Sequence, residues 1–177
     1  MMSSKSTPQK SGIENWYKWG PNINTSNESK TVSKSTYLGS QTAYGTQIIA
    51  AKHSKMNNYE WVIKIDKMGV ARFGGVGISI GIDESKCKWT GKSFYDKANT
   101  INYAYHSSGC MYPSNKTALK GYDTYTSGDI IKLQLNMKRG KLLFYKNDVQ
   151  QQYTMDIAKA DDIEYRLAVT LTQQNSS

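Results

Sequence analysis

Ile131-Lys132-Leu133-Gln134-Leu135-Asn136-Met137-Lys138-Arg139-Gly140-Lys141-Leu142-Leu143-Phe144-Tyr145-Lys146-Asn147 is the stretch from which the fold can be read. In its first half single polar residues separate Ile131, Leu133, Leu135 and Met137, so an extended chain places all four on one face. Wound as a helix, the same residues would scatter around the circumference and leave no apolar stripe to bury. The alternation breaks at Lys138-Arg139-Gly140 and an apolar strand resumes at Lys141, which predicts an antiparallel hairpin with a short glycine-containing turn. A second turn is expected at Asn147-Asp148, because both residue types tolerate a positive φ.

Working outward, Glu60 to Asp66 repeats the pattern, with Trp61, Ile63 and Ile65 directed at a core and Glu60, Lys64 and Asp66 sharing the other face with Val62. Further strands are expected over 30–37, 46–53, 76–82, 100–106, 150–155 and 163–172. Segments 67–75, 84–98 and 107–127 lack alternation and read as loops, with Gly74-Gly75-Val76-Gly77 a flexible turn. Helical patterning is almost absent. Many short antiparallel strands must bury one face each against a second layer, so the fold class is all-β, a two-layer antiparallel β-sandwich or a barrel. No repeat of constant period is visible, which disfavours a propeller. Residues 1–14 read as a disordered polar tail, 15–173 as one domain and 174–177 as a second tail.

The chain has 177 residues and a mean hydropathy of -0.64. A domain of this size buries about two-thirds of its unfolded surface and needs no disulfide or metal staple. No apolar run approaches the roughly 20 residues of a membrane-spanning helix. Met1 to Gly12 has no apolar centre and is not a secretory leader as written, so a cytoplasmic location is expected. In that compartment Cys87 and Cys110 should be free thiols, and the Asn-x-Ser/Thr matches at Asn24, Asn27, Asn115 and Asn175 carry no weight. The formal charge of +9 raises the question of nucleic acid. Arginine occurs only at Arg72, Arg139 and Arg166 and the lysines are spread along the chain, so lysine-driven nucleic-acid binding is the lesser reading.

Catalytic patterns are weak. His53 reads as a strand terminus, and His106 as a strand residue held by packing or a backbone hydrogen bond. A pairing of a histidine with Cys87 or Cys110 has no local signature. Asp83-Glu84 and Asp161-Asp162 fall where loops are expected, with solvated carboxylates. The cluster Gly74-Gly75-Val76-Gly77 is followed by neither Gly-Lys-Ser/Thr nor a helix, so it is no phosphate loop. The chain is therefore expected not to be an enzyme, with no catalytic residue, no metal site and no cofactor.

Several ordered motifs carry a family likeness. Gly128-Asp129-Ile130-Ile131, the alternating strand, the Gly140 turn, Leu142-Leu143-Phe144 and Asn147 together resemble the signature of the SPRY domain. Asn58-Tyr59-Glu60-Trp61, Ile78-Ser79-Ile80-Gly81-Ile82, Tyr103-Ala104-Tyr105-His106-Ser107 and Leu167-Ala168-Val169-Thr170-Leu171 are similar to its other strands, in the same order, from about residue 16 to 172. The chain departs from the pattern at Asn136, Asp148 and Arg166. The resemblance implies a concanavalin-like jelly-roll type of sandwich whose edge loops receive a protein or peptide partner, in an adaptor or substrate-recognition role and as a monomer. By position the surface would draw on Lys34, Thr36, Tyr37, Arg72, Phe73, Val76, Trp89, Phe94, Tyr95, Thr172 and Gln173. A lectin-like carbohydrate binder is the alternative, since sugar-binding proteins share such sandwiches and Trp89 or Tyr95 could stack on a ring.

Overall fold

A computed structural model describes residues 16–17, 23–26, 31–34, 39–50, 58–68, 76–86, 101–114, 117–159 and 162–173. Every regular element among them is a strand: β1 (Trp16–Tyr17), β2 (Ile23–Ser26), β3 (Thr31–Lys34), β4 (Gly39–Gly45), β5 (Ile49–Ala50), β6 (Asn58–Lys64), β7 (Val76–Glu84), β8 (Asn102–His106), β9 (Cys110–Tyr112), β10 (Ile130–Asn136), β11 (Lys141–Lys146), β12 (Val149–Asp156) and β13 (Glu164–Gln173).

The hairpin read from the sequence is β10 and β11, antiparallel, with Leu135 opposite Leu142 and Leu133 opposite Phe144. Gly140 closes its turn at φ 64°, in the left-handed region, and the Asn136 side-chain oxygen accepts the Arg139 N–H at 2.7 Å. Asn147 and Asp148 both take positive φ, 48° and 65°, the mirror-image turn whose twist matches that of the strands it joins. β6 and β12 flank the hairpin in a four-stranded sheet ordered β12-β11-β10-β6. Ile131, Leu133, Leu135 and Met137 are buried together with Trp61, Ile65, Leu142 and Phe144.

The second layer has seven strands in the order β1-β4-β13-β7-β8-β9, with β5 also beside β13. Ile78, Ile80 and Ile82 of β7 and Tyr165, Leu167 and Val169 of β13 point into the core between the layers. Tyr105 of β8 crosses that core edge-on to Phe144 of β11, ring centres 5.6 Å apart. Each such large apolar side chain contributes about 1.5–3 kcal/mol by leaving water, which closes the two sheets into a sandwich. β2 and β3 form a separate two-stranded ribbon.

Several expectations are corrected. Strand 46–53 shrinks to Ile49–Ala50 among the described residues, while the neighbouring Gly39–Gly45, not expected at all, forms a central strand. β1 and β2 were likewise not expected. The 107–127 loop contains β9 and a bridge from Met111 to Leu119. Val76 and Gly77, expected both as the start of strand 76–82 and as the end of a flexible glycine turn, begin β7. Asp83 is no solvated loop acid: it lies in β7, fully buried, where the Tyr44 hydroxyl donates to its carboxylate at 2.8 Å. Arg166, a departure from the family pattern, lays its guanidinium 3.7 Å over the Tyr44 ring.

Those two contacts sit on the outer face of the seven-stranded sheet. Thr42, Tyr44, Ser79, Asp83, Ala104, Ala168 and Thr170 are buried there, so the sheet is covered on both sides. Small residues let the strands close up: a Cβ on Gly81 would stand 1.8 Å from the Tyr103 carbonyl oxygen of β8.

Candidate functional site

Three of the residues that carry the family likeness, Asp129, Ile130 and Asn147, meet at one corner and are spent on structure. The Asp129 carboxylate accepts the Thr126 N–H at 2.8 Å and the Asn147 side-chain amide at 2.7 Å, with the Lys146 ammonium 3.6 Å away. The Thr126 N–H in particular, aided by Asn147 and Lys146, holds the carboxyl below its ordinary range against the opposing effect of burial. Asn147 in turn accepts the Ile130 N–H through Oδ1 at 2.8 Å. The corner thereby ties the entry of β10 to the exit of β11, and its polar atoms satisfy one another.

At the ends of β4, β7 and β13 the outcome differs. Thr172 lies opposite Ser40 on one side and Gly77 on the other, and Gln173 lies opposite Gly39 and Val76. The Ser40 and Thr172 hydroxyls are 3.0 Å apart and part-buried. Lys34, at the end of β3, is half-buried and its ammonium donates to the Gly39 carbonyl. Burial pulls the Lys34 pKa below the ordinary lysine range. One row further, His106 packs against Gly77, where a Cβ would meet the imidazole Nε2 at 2.4 Å. The Ser108 N–H donates to His106 Nδ1 at 3.1 Å, which makes that nitrogen the unprotonated one, and the Ser108 hydroxyl lies 2.7 Å from it.

Four of the eleven residues expected at a partner surface, Lys34, Val76, Thr172 and Gln173, thus meet on adjoining strand ends. The side chains of Val76 and Gln173 lie outside the described residues, as do Thr36, Tyr37, Arg72, Phe73, Trp89, Phe94 and Tyr95. The described neighbours of segment 87–100, Lys86 and Ile101, lie at the far end of β7 and the entry of β8, a strand's length from Val76. Ser40, Gly77, His106 and Ser108 were missed as members of this surface. No local pattern marks Ser40, whose partner Thr172 is 132 positions away in the chain.

His106 is held by a backbone hydrogen bond, as its strand position suggested, and faces Cys110 across the β8–β9 pair. Cys110 is a free thiol; Cys87 and His53 lie outside the described residues. Among the described residues no three His, Cys, Asp or Glu side chains gather where a metal could be held. The chemistry on offer at the β4–β7–β13 end is an ammonium, the hydroxyls of Ser40, Thr172 and Ser108 and an imidazole, groups suited to hydrogen-bonding a ligand.

A family model described as SPRY domain matches residues 58–177. The SPRY domain of human HERC1 is 18% identical, with a TM-score of 0.58 and coverage of 78% of each chain. A second human SPRY domain is 16% identical, with a TM-score of 0.60, over 90% of this chain and 91% of that one. The TRIM65 PSpry domain is 13% identical, with a TM-score of 0.59, over 93% and 91%. No curated protein matches the chain.

Proposed function

The chain belongs to the SPRY domain family, and from that premise we propose that it is a non-enzymatic recognition module that takes a peptide or protein partner at the β4–β7–β13 end of its seven-stranded sheet. SPRY domains are in general protein-interaction modules. The observation that carries the assignment is the convergence of Lys34, Ser40, Thr172 and the backbones of Val76 and Gln173, from the four strands β3, β4, β7 and β13, on one half-exposed edge. A rigid sandwich that presents such an edge loses little entropy on binding, and the loops around it are free to set specificity. In this reading the protein is an adaptor or substrate-recognition unit, monomeric and cytoplasmic. Among the described residues no helix is long and apolar enough to cross a membrane.

Affinity capture from native lysate tests the assignment with three baits: the intact chain, a Lys34→Glu/Thr172→Lys variant, and a chain whose 84–98 segment is a Gly/Ser linker. The intact chain should enrich a partner that the edge variant loses. Retention of that partner by the edge variant, with loss only on replacing 84–98, would move the surface to the other end of β7. There Trp89→Ala or Tyr95→Ala should then weaken binding by about 1–3 kcal/mol.

A further inference from the structure

Among the described residues most half-buried lysines have an acid to answer them. Lys132 reaches Asp148 at 2.7 Å, Lys141 reaches Asp156 at 2.5 Å and Lys146 stands 3.6 Å from Asp129. Lys34 is the exception: it is half-buried, and among the described residues its ammonium meets only the neutral Gly39 carbonyl. Partial burial of a cation without an opposing charge is unfavourable, and local deficits of this kind are among those expected where a ligand acts. Its lowered pKa, caused by desolvation, reports the same deficit.

The neighbours of Lys34 define what would relieve it. Gly39, which holds the ammonium, precedes Ser40, whose hydroxyl is bonded to that of Thr172. An ammonium has three protons and the carbonyl takes one; two hydroxyls bonded to each other leave one proton over. The edge thus offers a point charge with spare donors and an extra hydroxyl donor, and no arginine fork among the described residues accompanies them. That set matches a carboxylate better than the three oxygens of a phosphate. The net charge of +9 would also draw an acidic partner toward the chain.

We propose that Lys34, with the Ser40–Thr172 hydroxyl pair, is the subsite for an aspartate or glutamate side chain of the partner. The assignment rests on the recognition-module reading and names the chemistry that reading lacks.

The test is to pan a random 12-residue peptide display library against the intact chain. Enriched peptides should share an Asp or Glu at one fixed position. Changing that residue to Asn or Gln should weaken binding about tenfold to the native protein and by less than about twofold to Lys34→Met or Lys34→Gln, while Lys34→Arg keeps the preference. Enriched peptides without a fixed acid, an acid-to-amide loss that persists in both Lys34 variants, or displacement of the peptide by labelled dT12 at equal concentration would each overturn the carboxylate subsite and leave the module standing. A library that yields no binder at all would overturn both.

Discussion

The Asp129–Asn147 corner and the Lys34–Thr172 edge are made of similar side chains and use them in opposite ways. At the corner, Asp129 has an N–H, an amide and an ammonium, and Asn147 gives its remaining oxygen to Ile130. At the edge, among the described residues, a cation rests on a neutral carbonyl and two hydroxyls are bonded to each other. Self-satisfied polar groups stabilise; groups with capacity left over are available to something outside the chain. The Asp129–Asn147 part of the family motif is thus satisfied within the fold, whereas the edge proposed here for recognition keeps hydrogen-bonding capacity in reserve.

The comparison can be broken or sharpened by substitution. The scale is set by Phe144→Ala, which empties a site between the sheets and should cost about 3–5 kcal/mol in urea denaturation, with Trp61→Ala close behind. Asp129→Ala removes hydrogen bonds to a charged group and should cost about 2–3 kcal/mol. Its acid dependence has a definite sign. With the folded carboxyl held below the ordinary 3.8, the Asp129 contribution is complete above that value and is lost as pH falls through the lower folded one. Denaturation between about pH 5 and 2 should show this loss in the native chain and not in Asp129→Asn. Gly77→Ala should cost about 1 kcal/mol, because the His106 ring must move off the new methyl, and should shift the His106 imidazole signals in an NMR spectrum. Thr172→Val should change stability by at most about 0.5 kcal/mol while weakening partner binding. If Thr172→Val destabilised as much as Asp129→Ala, the edge would be a structural joint like the corner.

How much of this was legible depended on side-chain size. β6, β10 and β11 were readable because large apolar residues alternate with polar ones wherever one face meets the core and the other meets water. β4 was unreadable for the converse reason. In its sequence, Gly39-Ser40-Gln41-Thr42-Ala43-Tyr44-Gly45, the residues from Gln41 to Gly45 are buried on both faces and are mostly small or polar, so no contrast survives in the sequence. β1 and β9 are two and three residues long, too short for a period to register. Asp83 was misplaced because an acid beside another acid suggests a loop, and only the fold brings Tyr44 to it across 39 positions. Lys34, Val76, Thr172 and Gln173 were nominated through likeness to a family, and the sheet register unites them. Ser40 needed that register to be found at all.

The place of β13 has a consequence for how the protein is made. It lies between β4 and β7 and also pairs with β5, so three strands encoded earlier wait for it. On the ribosome, the four-stranded layer can pair as soon as residue 156 emerges, whereas the larger layer stays split until residue 173 has cleared the exit tunnel. Until then the isoleucines of β7 are open to chaperones, and a nascent chain halted short of that point would be a ready substrate for quality control.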